Sequence, residues 1–156
     1  MRDRGPSDVS SIDGELFFQT SWCNGAPGRG LARLRSLQYL DDSQIRGEIN
    51  IALKTTLASG FGRNDSLCHG DLGNLELLLH ASQSFADPWW KAKTSRIGTI
   101  ILDRTQRHGW CCGVPLGVET PGLMTGLSGI GYEFLRLAKP DQVPSILALA
   151  PPLGVR

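Results

Sequence analysis

Two cysteines and a histidine stand in matching surroundings. In SLCHGDLGNLELLL, residues 66–79, Cys68 and His69 run directly into Gly70, Asp71 and Gly73. In SWCNGAPGRGLARL, residues 21–34, Cys23 runs into Gly25 and Gly28. Two thiolates and an imidazole suit zinc, and three protein ligands leave a fourth tetrahedral position open, as catalytic zinc sites do. A cysteine just ahead of a helix also feels the partial positive charge of that helix end, which favours the thiolate. The plainer reading stands beside this one. Both cysteines can be small buried residues of glycine-rich turns, and His69 a satisfied hydrogen bonder, because no C-x-x-C pair is present to strengthen the metal reading.

The elements that must position these residues repeat along the chain. Leu31, Ala32, Leu34 and Leu37 recur at helical spacing and predict a helix over 28–40. DDSQ offers a cap for a second helix over 43–58, with Ile45, Ile49, Leu53 and Leu57 in one stripe and Ser59-Gly60 with Gly62 ending it. Leu75, Leu78, Leu79 and Ala81 predict an inward face on a helix over 72–84. Asp87 and Pro88 open another over 88–107, with Trp90, Ile97, Ile100 and Ile101 on its apolar face and Gly109 closing it. In PGLMTGLSGIGYEFLRLAKP, Gly126 and Gly129 precede Tyr132, Leu135 and Leu137, and Pro140 stops the helix.

A unit of Gly-x-x-Gly, helix, turn, helix therefore starts at Gly25, Gly70 and Gly126, with offsets of 45 and 56 residues that fall in the range of helical-hairpin repeats. The glycine pairs are expected to allow a tight turn and close packing of neighbouring helices. The fold class that follows is all-α, built from stacked helical hairpins, with no strand-like alternation of any length. If adjacent hairpins pack side by side, Cys23, Cys68 and His69 converge.

Bulk properties exclude several alternatives. The 156 residues make room for one domain, and a net charge of +1 without a basic stripe argues against a nucleic-acid surface. No apolar run approaches the roughly 18 residues a membrane span needs. The N-terminal MRDRGPSDVSS has no apolar signal core, so the expected setting is the cytoplasm. In a reducing compartment four cysteines point to metal binding or reactivity more than to disulfides. Cys111 and Cys112 lie after an outer helix and are read as incidental. Asp71 is read as a helix cap or as an orienting partner of His69. Trp22 is expected to pack the first turn, Trp89-Trp90 to pack a neighbouring hairpin, and Tyr132 to pack an inner helix or face a cavity. A glycosidase would need paired carboxylates, and Asp71 and Glu119 form no recognisable pair. Neither His80 nor His108 is assigned a role.

WCNGAPGRGLARL, LCHGDLGNLELLL and PGLMTGLSGIGYEFLRLA resemble three consecutive signatures of LanC-like cyclase domains. The resemblance is greatest to the C-terminal cyclase domain of class II (LanM-type) lanthipeptide synthetases, covers residues 15–152, and extends to the VPSILALAPP tail. It implies an α/α toroid of seven hairpins, of which this chain holds about three, as one partial domain over 1–156 with residues 1–14 poorly ordered. It implies zinc held by Cys23, Cys68 and His69. The reaction implied is addition of a cysteine thiol of a dehydrated precursor peptide to dehydroalanine or dehydrobutyrine, closing a thioether ring. The catalytic His and Asp of that family, its earlier repeats and its dehydratase domain are expected outside this chain, so no residue here is assigned as catalytic, and weak or absent activity alone is expected. Asn24 stands where such proteins commonly have His, which leaves the metal set intact. The alternative is a non-catalytic zinc-binding remnant that binds a partner or the precursor.

Overall fold

A computed structural model describes residues 10–12, 15–17 and 19–151. Two short strands, β1 (Ser10–Ile12) and β2 (Glu15–Phe17), pair antiparallel with Ser11 opposite Leu16. Five helices follow: α1 (Ala26–Ser36), α2 (Ser43–Ser59), α3 (Asp71–Phe85), α4 (Pro88–His108) and α5 (Leu127–Ala138), with a 3-10 turn at Pro115–Gly117 between the last two. Among the described residues the regular structure is thus helical apart from one ribbon of two three-residue strands. That ribbon corrects the expectation of no strands: three residues are too few for alternation to register, whereas the sequence signal is Asp13-Gly14 between the two segments, a favoured hairpin pair. Of the stretch expected to be poorly ordered, residues 1–9 and 13–14 lie outside the described residues, and Ser10–Ile12 is strand.

Helix starts follow their capping chemistry. Asp42 accepts from the Ile45 N–H at 2.8 Å, and Asp87 accepts from the Trp89 N–H at 2.9 Å with Pro88 in the first turn. Gly109 ends α4 at φ 81°, a conformation that favours glycine. α1 packs on α2 and α3 on α4 as two hairpins, joined through α1 against α3, while α5 lies on α3. The core runs from Leu31, Leu34, Ile45, Ile49 and Leu53 through α3 to Ile101 and Ile130. α3 is its axis: Leu72, Leu75, Leu77 and Leu78 are all at 0 % exposure, so it is buried on every side rather than along one stripe. Each of those leucines contributes roughly 1.5–3 kcal/mol by burial.

Among the described residues the third repeat shows its inner helix alone. After α5, residues 139–151 form turns rather than an outer helix. Two expected core positions face outward, Ile100 at 57 % and Leu135 at 62 % exposure. On α5 the buried face carries Ile130, Glu133 and Arg136, a polar set that an apolar-stripe reading passes over. Ala32 is likewise exposed. No helix among the described residues is long and apolar enough to cross a membrane.

The glycine pairs have a common geometry. Gly25, Gly70 and Gly126 are the N-caps of α1, α3 and α5. A Cβ at Gly28, Gly73 or Gly129 would collide with the carbonyl oxygen of Trp22, Leu67 or Leu123, in each case the residue six positions earlier. At Gly25, Gly70 and Gly126 the backbone six positions earlier, at Gln19, Asn64 and Thr120, is equally close. Each pair therefore lets the loop before an inner helix fold back onto the first turn of that helix. Neighbouring helices instead meet at Gly30, whose face touches the Ala52 and Leu77 side chains.

Candidate metal centre

Three platforms of related design stand side by side: Cys23-Asn24-Gly25, Cys68-His69-Gly70 and Met124-Thr125-Gly126, the last two with extended caps at φ -113° and -127° and the first with Gly25 at φ 150°. Amide hydrogen bonds join them in register. The Cys23 N–H donates to the Cys68 carbonyl at 3.0 Å, and the Cys68 N–H donates to the Met124 carbonyl at 2.8 Å. This ladder brings residues 45 apart in sequence to one place. One ligand atom from each of Cys23, Cys68 and His69 lies within 4.8 Å of the other two. Sulfurs bound tetrahedrally at about 2.3 Å from zinc sit about 3.8 Å apart, so the donor set needs only a small contraction to fit such an ion. The third platform has a thioether, Met124, where the other two have thiols.

Cys23 is exposed and Cys68 half-buried. Burial, together with the hydrogen bond and charge of the neighbouring Cys23, pushes the Cys68 thiol up to about 11. Two thiols this close resist becoming two thiolates on their own, and a bound cation relieves that repulsion. The Ser21 hydroxyl lies 3.7 Å from Cys23 Sγ and donates to the Asn24 carbonyl at 2.9 Å. Asn24 is not among the three donors, and its amide donates to the Gln19 side chain at 3.2 Å.

The second platform is braced from behind. Asp71 is buried and neither caps α3 nor touches His69 through a hydrogen bond, which corrects both readings of it. Its carboxylate accepts from the Gly62 and Arg63 N–H groups at 3.0 and 3.1 Å and from Arg104 at 2.8 Å. Arg104 also pairs with buried Asp65, which accepts from the Cys111 N–H at 2.8 Å. The loop so held passes over the site, where a Cβ on Gly113 would meet the Ser66 side chain and stand 3.0 Å from His69 Nε2. Asn74 ties the first platform to the second by donating to the Thr20 and Gly60 carbonyls at 3.1 and 2.6 Å. Asp65 and Arg104 lie 39 residues apart and gave no sequence signal.

The remaining sequence candidates fall elsewhere. Cys112 is buried in the core and Cys111 exposed, and neither joins the metal group. Trp22 packs against the core as expected. Trp89 and Trp90 meet each other edge to face at 4.6 Å. The Tyr132 hydroxyl donates to the Pro144 carbonyl at 2.7 Å, tying α5 to the tail. Glu119 and His108 are exposed.

A second charge cluster, which sequence reasoning missed, joins α3 to α5. Arg136 Nε donates to both Glu76 carboxylate oxygens at 2.7 and 2.9 Å, and His80 Nε2 lies 3.0 Å from Glu76. Burial, followed by the charge of Glu76, pushes the Glu133 carboxyl well above the usual range. Burial opposes ionisation of Glu76 too, but His80, Glu133 and Arg136 outweigh it and hold its carboxyl below the usual range. Glu133 thus carries the proton the pair shares. With Glu76 at 0 % and Glu133 at 1 % exposure, this acid pair is sealed from substrate and does not serve glycosidase chemistry. The signal available was Glu76 inside the run LELLL, a charge where every neighbour is apolar.

A family model described as lanthionine synthetase C-like protein matches residues 3–148. Among curated proteins, the lacticin 481/lactococcin biosynthesis protein LcnDR2 of Lactococcus lactis subsp. lactis is 28 % identical over 148 residues. That alignment takes in 87 % of this chain and 16 % of the relative, so the chain spans about a sixth of that protein's length.

Proposed function

The chain belongs to the lanthionine synthetase C-like family, and we propose that it is the zinc-binding portion of a lanthipeptide cyclase, acting on a dehydrated precursor peptide. The observation that carries this reading is the convergence of Cys23, Cys68 and His69, with one donor atom from each within 4.8 Å of the others. Zinc held by these three would supply the Lewis acidity that keeps a peptide thiol deprotonated at neutral pH. In the reaction the thiol sulfur bonds to the β-carbon of a dehydrated residue, and the α-carbon takes up a proton. This chain's residues hold and orient. Gly70 and Gly73 set the second platform, Asp65, Asp71 and Arg104 brace it, and Gly113 covers the imidazole.

No residue of this chain is assigned to the α-carbon protonation. The family places that work in repeats that precede the ones here, and a closed α/α toroid of seven hairpins would bring them across from this site. Support for such a larger ring comes from a groove of about 770 Å³ between α3, α4 and α5, lined by Leu102, Trp110, Phe134 and Leu137. A reducing cytoplasmic setting suits thiols that remain free, and all four here are.

The test has two stages. Purified chain equilibrated with zinc and dialysed is expected to retain about one equivalent, lost in Cys68→Ala. The chain is then joined to the earlier repeats of a lanthionine synthetase C-like cyclase and incubated with dehydrated precursor, and free thiols are counted. Their zinc-dependent loss supports cyclisation. Failure of the wild-type chain to retain zinc overturns the metal reading, and retained zinc with unchanged thiols in the joined protein leaves a zinc-binding remnant.

A further inference from the structure

Cys23 forms part of the wall of a groove of about 550 Å³. Trp22 and Leu31 line it from the first repeat, Leu147 and Leu149 from the tail, and Arg35 is its single charged residue. The volume lies within the ~300–1,000 Å³ of pockets that hold organic ligands. Arg35 makes no ion pair with a carboxylate among the described residues.

Leu149 is the unusual member. The Ala150 N–H donates to the Ser145 carbonyl at 2.8 Å, and the Leu149 N–H to the Ile146 carbonyl at 3.2 Å. These two bonds close a helical turn in the manner that calls for a left-handed residue, a place glycine usually fills. Here a leucine fills it, at φ 51° and 87 % exposure. The fold gains nothing visible from that choice: the backbone is strained and an apolar side chain faces water. The same turn sends Leu147 into the core at 6 % exposure and leaves Leu149 on the groove that Cys23 shares.

We propose that this groove seats the residue flanking the reacting cysteine of the substrate peptide, selects an apolar side chain there, and uses Leu149 as its specificity-determining lip. The inference rests on the cyclase reading, because the occupant is the peptide whose thiol reaches the metal centre beside Cys23. A thiol delivered there brings its sequence neighbour against Trp22 and Leu149, over a floor that includes the buried Leu31. Arg35 disfavours a cationic neighbour and tolerates a neutral one.

Cobalt(II) in place of zinc makes the centre visible through its sulfur-to-metal absorption bands. The full chain, loaded with cobalt(II), is titrated with acetylated, amidated dipeptides Leu-Cys, Cys-Leu, Ser-Cys, Cys-Ser, Lys-Cys and Cys-Lys. At least one leucine peptide is expected to bind about tenfold tighter than its serine counterpart, with the lysine peptides weakest. In Leu149→Gly that preference falls to about twofold or less, while Tm stays unchanged or rises, since glycine suits the left-handed position. Equal affinities in the wild type, or a full preference surviving in Leu149→Gly, overturn the groove's role. Absence of any cobalt–thiolate band overturns the metal reading and this inference with it, whereas a band that all thiols perturb alike overturns the groove alone.

Discussion

The second and third platforms have one backbone and two chemistries. Both cap an inner helix with glycine, both fold back on a glycine three residues later, and both belong to the same amide ladder. Yet one presents Cys68-His69 and the other Met124-Thr125. Their supports differ as well. α3 has an outer partner in α4, and Arg104 reaches from that partner to brace the second platform at Asp65 and Asp71. α5 has no outer helix among the described residues and is held to α3 by Arg136 on Glu76 and to the tail by Tyr132. The contrast teaches that platform geometry is set by glycines and amides, while ligand chemistry is a separate choice of side chain.

Substitutions can break that separation. Gly73→Ala and Gly129→Ala each force a Cβ onto a backbone carbonyl, so each is expected to cost about 3 kcal/mol or more in urea denaturation. Comparable costs uphold a shared geometry, whereas a tolerated Gly129→Ala would show that the third platform only looks like the second. Next in size is metal retention. Cys68→Ala is expected to weaken zinc at least about 100-fold in competition with a chromophoric chelator, and Thr125→Ala to change it less than about twofold.

The α3–α5 junction sharpens the comparison through pH. Glu133 has a raised folded pKa, so its contribution to stability is full below the ordinary carboxylate range and is lost as pH rises through that folded value. Glu76 has the opposite sign: its contribution is present above the ordinary range and lost as pH falls through its depressed value. Urea midpoints are therefore expected to decline with rising pH on the alkaline side of the carboxylate range, and Glu133→Gln to flatten that decline. A wild-type profile as flat as the variant's would contradict the shared proton. The groups facing the pair are His80, Gln83 and Arg136, and the last stays charged throughout. The smallest stability effect expected is that of Met124→Ala. This half-buried thioether should cost about 1 kcal/mol by thermal melting and leave zinc stoichiometry at its wild-type value.

Much of this was legible in the chain before any coordinates. Asp42 and Asp87 marked helix starts because a short polar side chain at that position satisfies an orphan N–H, a local effect. The convergence of Cys23, Cys68 and His69 was visible because Cys23 and Cys68 each sit two residues before the capping glycine of a repeat. What escaped was non-local. Asp71 looked like a cap or an orienter of His69, and its true partners are an arginine 33 residues on and two amides in the preceding loop. Leu135 looked inward by spacing, yet the face of α5 that α3 needs is the one carrying Glu133 and Arg136, because Glu76 is already committed to the core. Leu149 gave no sign either, since nothing in VPSILALAPP reveals a left-handed turn without glycine.

The ladder through Cys23, Cys68 and Met124 has one more consequence. Its spacing is set by amide hydrogen bonds rather than by any guest, so only a small contraction separates the three donors from a cradle for an ion. Stripping the ion by a chelator should then be a quiet event, with helix content intact and reloading fast. That is the reverse of small zinc domains, which collapse to coil when emptied.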